Sequence, residues 1–189
     1  MINYKVTKIK HIKDFKDDYV EAAEIAYKRF EFNYKQFLQS INSTRFYRYY
    51  NFFSLTVGSI FYAQLFEKLK KEIRKVYPLK NNLWFESWIN YHKQDEVLDW
   101  HDHPDCLFHG YICIDPKNTE TVFKDFKIKN ESGLLYIGPG SFKHKVNVLK
   151  PYNGYRITIA FNVIDHSTYC NMEDKYGNID LNTGYIPIW

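Results

Sequence analysis

Cysteine is scarce in this chain, and the three present, Cys106, Cys113 and Cys170, are irregularly spaced. That excludes a disulfide-stapled fold and the paired spacing of a zinc knuckle, leaving reduced thiols as the expectation. Long apolar runs are missing too: no stretch approaches the roughly 20 residues that span a bilayer as a helix. The opening Met-Ile-Asn-Tyr-Lys leads into Lys and His without an apolar segment of the signal-peptide kind, so a cytoplasmic protein is expected. Neither an internal repeat nor a low-complexity tract is visible, which argues against a solenoid and against a disordered chain.

What is there reads as globular. Hydrophobic residues at 45% and charged residues at 25% sit close to ordinary usage, and 189 residues bury one substantial core. One domain is expected, with residues 1–80 as a helical buttress, 81–165 as the core and 166–189 as an extension. The aromatic share of 19% is high, but Lys, Asn, Ile, Tyr and Phe rise together, as AT-rich coding produces without any ligand being involved. Lys plus Arg outnumber Asp plus Glu by 16 to 8 over residues 1–80, then fall behind by 10 to 14 over residues 81–189. Clusters such as Lys68, Lys70, Lys71, Arg74 and Lys75 are more often a solvated helix face than a nucleic-acid contact, so a polyanion partner is not the expectation.

Two helices open the chain. From Asp14 to about Leu38, Tyr19, Ala22, Ala23, Ala26, Tyr27, Phe30 and Tyr34 recur at three- and four-residue spacing, as one buried face requires. A second helix, starting near Ser54 or Thr56, repeats Val57, Phe61, Leu65, Leu69, Ile73 and Val76 and is closed by Pro78. The aromatic run Phe46 to Phe53 between them either lines a cleft or covers a sheet face. After Lys80 the texture changes to short alternating or apolar runs between turn residues. Strands are predicted over Leu83–Tyr91, Leu107–Ile114, Thr121–Phe126, Leu134–Ile137, His144–Leu149 and Arg156–Val163. Helices followed by short strands argue for an α+β fold, with the helices buttressing one face of a sandwich or barrel.

The chemistry concentrates in Asp99-Trp100-His101-Asp102-His103-Pro104-Asp105. Positions 99, 101, 103 and 105 share one face of an extended backbone, so two of them are able to hold one metal ion. A third ligand must come from elsewhere, and His144, after the Gly138-Pro139-Gly140 turn, is the best candidate. Two sets stay open: His101, His103 and His144, or His103, the carboxylate of Asp105, and His144. A hairpin joining the last two strands would set Arg156 beside the metal with its guanidinium free for a dicarboxylate, gripped by paired charge-assisted hydrogen bonds. Two imidazoles and a carboxylate with open positions suit Fe(II) oxygen chemistry. His92 and His166 lack such context and read as surface residues; His109 is close enough to the ligand loop to face the pocket.

These segments resemble the 2-oxoglutarate and Fe(II)-dependent oxygenase superfamily, specifically its prolyl-hydroxylase-like branches. Trp88-Ile89-Asn90-Tyr91, followed ten residues after the Tyr by His101-x-His103-Pro104, is similar to the strand, loop and ligand pair of small bacterial and phage oxygenases. There an H-x-H-P motif precedes a strand of the type S-G-V-Y-Y; here it reads His109-Gly110-Tyr111-Ile112-Cys113, departing at His109 and Cys113. Gly133 to Gly140 with His144-Lys145-Val146 resembles the family's G-x-L-x-x-F-P and H-x-V element, and Arg156 to Asn162 closes it. The match covers residues 83–164. It implies a double-stranded β-helix (jelly roll, cupin-like), Fe(II) as the metal and 2-oxoglutarate as cosubstrate. It also implies that Arg156 binds the distal carboxylate with help from Thr158, and that O₂ and an unidentified substrate yield a hydroxylated product, succinate and CO₂. Tyr111, Trp100 and Leu135 are the expected wall residues. Two rivals stand beside it: a non-catalytic metal-binding jelly roll recognising a sugar, peptide or polyanion, and a three-histidine dioxygenase without cosubstrate.

Overall fold

A computed structural model describes residues 4–34, 43–78, 82–96, 98–176 and 184–188. Leu38, the expected end of the first helix, lies outside them. The described chain is α+β: helices pack on one face of a six-stranded antiparallel sheet, and a three-stranded antiparallel sheet closes over the other face.

The helical layer comprises α1 (Lys10–Asp14), α2 (Lys16–Tyr34), α3 (Phe52–Leu55) and α4 (Ile60–Val76). In α2, Tyr19, Ala23, Ala26 and Phe30 are buried at spacings of four, three and four, the single stripe that a helix lying on a sheet buries. In α4 the buried stripe is Tyr62, Leu65, Leu69 and Ile73. That helix begins at Ser59, whose hydroxyl caps it by accepting from the Tyr62 amide, rather than at Ser54 or Thr56. Val57, expected in the stripe, precedes the cap and is 83% exposed. The two helices are tied crosswise, the Tyr19 hydroxyl donating to the Phe61 carbonyl and the Tyr62 hydroxyl to the Tyr19 carbonyl.

The large sheet runs β1 (Lys5–Lys8), β6 (Leu134–Pro139), β3 (Phe108–Asp115), β8 (Arg156–Asp165), β2 (Leu83–His92) and β9 (Ile186–Ile188). The small sheet runs β5 (Lys127–Lys129), β4 (Thr119–Phe123) and β7 (His144–Val148). A fourth strand of the small sheet shrinks to one antiparallel bridge between His101 and His144. Two facing antiparallel sheets with strands alternating between them make the double-stranded β-helix. The expected β7–β8 hairpin does not form: β7 pairs with β4 in the small sheet, and β8 lies between β3 and β2 in the large one. Residues 1–80 are not wholly helical, since β1 joins the large sheet beside β6, and the tail supplies α5 (His166–Tyr176) and β9.

The large sheet is buried on both sides, and its two faces differ in chemistry. Toward the helices point Phe85, Ile89, Ile112, Leu135, Ile137, Ile157, Ile159, Phe161 and Val163, all within the buried core. Toward the small sheet point the alternate residues, including Glu86, Trp88, Asn90 and His92 of β2 and Arg156, Thr158 and Asn162 of β8. Period-two alternation thus divides an oily face from a functional face on the same strands. The aromatic run before α3 covers the free edge of β2. The Tyr50 hydroxyl accepts from the Ile89 amide, the Ser43 hydroxyl donates to the Ile89 carbonyl, and Asn51 donates to the Phe85 carbonyl. An edge strand that would otherwise expose unpaired backbone groups is sealed.

Candidate metal centre

His101 and His103 leave the loop after β2, and His144 opens β7. The His101 and His144 backbones exchange both hydrogen bonds of the bridge, at 3.0 and 2.9 Å, which holds their rings side by side with centroids 4.2 Å apart. The His103 amide donates to the Gly140 carbonyl at 2.9 Å, docking the rest of the loop on the turn before β7. That docking requires a glycine: a Cβ at position 140 would overlap the carbonyl oxygens of His103 and Cys106. Replacing Gly140 with alanine is therefore expected to displace the His103 loop and weaken metal binding by about 10- to 100-fold, the range seen for outer-shell lesions, with the fold retained. Metal titration alongside circular dichroism measures both.

One nitrogen from each of His101, His103 and His144 lies within 4.8 Å of the others, and among the described residues these three form the group able to hold a metal ion. The His101 Nδ1 lies 2.7 Å from the Asp99 carbonyl and the His144 Nδ1 lies 3.1 Å from the Phe142 carbonyl. Donation from Nδ1 to a carbonyl leaves Nε2 as the lone-pair nitrogen, the usual way a backbone orients a metal-binding imidazole. Asp105 is exposed in the turn after Pro104 and is not part of the group. Burial pushes the His103 pKa down to about 3, helped by the neighbouring His144 and His101, and that of His144 down to about 4. Both rings are accordingly neutral and able to ligate at neutral pH. The donor set fits a first-row divalent metal with open coordination positions; imidazole suits iron, zinc, copper and nickel alike.

The triad sits in a cavity between the sheets, lined also by Trp88, Asn90, His109, Tyr111, Thr121, Arg156 and Thr158. His109, read from the sequence as facing the pocket, is 2% exposed, its ring stacked 4.7 Å from both His103 and His144. Tyr111 and Thr158 line the cavity as well. Of the other two expected wall residues, Trp100 is 47% exposed with the Lys145 ammonium over its ring, while Leu135 points to the helix side of the large sheet. Leu135 is displaced by strand parity: its neighbour Tyr136 faces inward against His109.

Trp88 Nε1 and Arg156 Nε are buried in the cavity without a protein partner, while the His109 ring and the Tyr111 hydroxyl reach only the Pro139 carbonyl and Thr121, in poor geometry. An unpaired buried donor costs about 1–3 kcal/mol, and native structures rarely gather such groups in one place without a ligand. Arg156 is 2% exposed and has neutral partners, Thr158 and His92; no carboxylate among the described residues pairs with it. Glu86, buried on the same sheet face, has its pKa raised to about 7 by burial and is hydrogen-bonded to Asn162 rather than to Arg156. The free interior is small, about 40 Å³, on the order of three waters.

His92, read as a surface residue, is 2% exposed and its pKa is pushed down to about 3 by burial and by the Arg156 charge. The signal that places it is the alternation Glu86, Trp88, Asn90, His92 along β2. His166 is exposed at the start of α5, as expected. Four neutral histidines, His92, His109 and His144 buried and His103 partly so, give the metal-free protein a defined pH response. His92 and His103 near 3, His144 near 4 and His109 well below its ordinary value all titrate near 6.5 when unfolded. Between pH 6.5 and about 4 the unfolded chain binds more protons than the native one, so stability is complete above 6.5 and drains away as pH falls. Glu86 acts in the opposite sense, but it is one group against four. The melting temperature of chelator-treated protein is expected to drop between pH 7 and 5; a flat profile would contradict this burial.

Fold and site together define a jelly-roll protein with a three-histidine cluster facing a buried arginine. No family model matches the sequence, and no curated protein is similar to it. Among solved structures, the chain is similar to an oxidoreductase of the 2OG-Fe(II) oxygenase family from Burkholderia pseudomallei, at 13% identity and a TM-score of 0.43 over 50% of each chain. It is also similar to a cupin-2 domain protein from Shewanella frigidimarina, at 19% identity and a TM-score of 0.31 over 43% of this chain and 71% of that one. An RmlC-like cupin from Ralstonia eutropha aligns at 12% identity and a TM-score of 0.29 over 48% and 74%. The alignment spans half the length of the oxygenase, and at these scores the functional reading rests on the site itself.

Proposed function

We propose that the protein is an Fe(II)- and 2-oxoglutarate-dependent oxygenase, with His101, His103 and His144 as metal ligands. The observation that carries the reading is the buried, carboxylate-free Arg156 in the same cavity as three converging imidazoles. A divalent cation on three neutral ligands beside an unpaired guanidinium leaves a strongly positive, water-poor chamber, and a dianion is the ligand that balances it. Arg156 and the Thr158 hydroxyl bind the distal carboxylate, while His109, Trp88 and Tyr111 offer hydrogen bonds to the remaining oxygens. Fe(II) in this setting supplies oxygen activation coupled to oxidative decarboxylation of 2-oxoglutarate, giving succinate, CO₂ and a hydroxylated substrate. The Phe123 and Tyr136 rings, packed against His144 and His109, supply an apolar wall beside the chamber.

The test is succinate formation dependent on both added Fe(II) and 2-oxoglutarate, against a panel of peptides, amino acids, nucleobases and glycans. The absence of a carboxylate from the ligand group favours one rival, a three-histidine dioxygenase that needs no cosubstrate. In that case metal-dependent turnover survives Arg156→Ala. If iron-loaded protein neither binds nor consumes 2-oxoglutarate, a non-catalytic binding module is the better description.

A further inference from the structure

Arg156 and His92 are direct cross-strand partners in the β8–β2 ladder, and Thr158 and Asn90 are the next pair on the same face. Both pairs are hydrogen-bonded. Arg156 Nη2 lies 3.1 Å from His92 Nδ1, and Asn90 Nδ2 donates to Thr158 Oγ1 at 3.2 Å. Arg156 Nη1 donates to the same Thr158 oxygen at 3.3 Å. Thr44, reaching in from the segment that covers the β2 edge, closes the circuit: its hydroxyl is 2.9 Å from His92 Nε2 and donates to Asn90 Oδ1 at 2.7 Å.

Proton counting fixes the histidine. A guanidinium only donates, so His92 Nδ1 must be bare and accept from Arg156. A neutral ring bare at Nδ1 carries its proton on Nε2 and donates it to Thr44 Oγ1. Thr44 Oγ1 donates to Asn90 Oδ1, and Asn90 Nδ2 reaches Thr158. The Thr158 oxygen then accepts from both Asn90 and Arg156, leaving its own O–H proton for the cavity it lines. Arg156 Nε–H likewise has no protein partner.

We infer that His92 is the positioning residue of the anion site: locked as its Nε2–H tautomer, it holds the Arg156 guanidinium through a neutral nitrogen and leaves the positive charge for an anionic ligand. A carboxylate in its place would hold the arginine equally well but cancel the charge. The circuit presents only donors to the cavity at this end, so the ligand group it takes is an ionised carboxylate rather than an amide or a protonated acid. The inference rests on the proposed cosubstrate for its ligand, but not for its geometry.

Two measurements test it. Long-range ¹H–¹⁵N spectra of metal-free, histidine-labelled protein at neutral pH should show the His92 ring as the Nε2–H tautomer with a hydrogen-bonded Nδ1, a signature lost in Arg156→Ala. Calorimetric titration of anaerobic, Fe(II)-loaded protein with 2-oxoglutarate should give an affinity within about 3-fold of wild type for His92→Asn, whose amide oxygen is a neutral acceptor, and weakened at least about 30-fold for His92→Asp. Wild-type-like binding by a folded His92→Asp variant overturns the inference, as does a protonated or Nδ1–H ring in the wild type. If wild type fails to bind 2-oxoglutarate while the tautomer is as described, the cosubstrate reading falls and the assignment of His92 stands.

Discussion

His144→Ala is expected to remove most of the metal-induced stabilisation and abolish any succinate formation, while leaving the metal-free protein folded. Two of the three ligands come from one loop, and two imidazoles alone hold a divalent ion weakly; the third comes from β7. Loss of an outer-shell partner alone costs 10- to 100-fold in affinity, so loss of a ligand should weaken binding by at least about 100-fold. In thermal melts, wild type with metal at about 100 times its Kd gains about 2.7 kcal/mol, or roughly 5–11 °C for a chain of this size. The variant should gain no more than about 1–2 °C at the same concentration. The backbone bridge between positions 101 and 144 does not depend on the side chain, so loss of the fold is not the expected outcome. A variant that still gains several degrees from Fe(II) would place the metal elsewhere.

Arg156→Ala is expected to separate cosubstrate binding from metal binding. Truncating one partner of a buried charge pair costs about 2–5 kcal/mol, which is a fall in 2-oxoglutarate affinity of roughly 30- to several thousand-fold. The metal-induced rise in melting temperature should persist, because Arg156 is not a ligand. The Arg156→Lys variant tests geometry against charge. It keeps the positive charge but loses the planar fork and the paired hydrogen bonds to Thr158 and His92, so most of the affinity should still be lost. If 2-oxoglutarate binding is indifferent to both substitutions, the three-histidine reading without cosubstrate gains the ground.

Much of the architecture was legible because burial imprints periodicity. The stripes of α2 and α4 and the six long strands stand out since each must hide one face or both. The short strands β1, β5 and β9, of three or four residues, carry too few positions to declare a period. The helix α5 carries a local signal in its cap: Asp165 accepts from the Thr168 amide and the Ser167 hydroxyl. The separation of β7 from β8 was not legible, because a short connection between adjacent strands serves a hairpin and a crossing between sheets equally well. Trp100 and Leu135 were misplaced for a related reason. A one-residue change of parity moves a side chain to the opposite face, and parity on a strand is set by its partners.

By itself the sequence determined which groups are available to the site: His101 and His103 at a spacing that puts both on one face, His144 after a glycine turn, and Arg156 and Thr158 two apart on a strand. Those are properties of local geometry, and they hold wherever the strands end up. Only the tertiary structure decided that Asp105 stays outside, that His109 joins the cluster, and that His92 lies across from Arg156 with Thr44 behind it. Each of these depends on pairing between segments distant in the chain. Pairing is chosen by the burial of the opposite, oily face of the same sheet, not by the polar residues that profit from it.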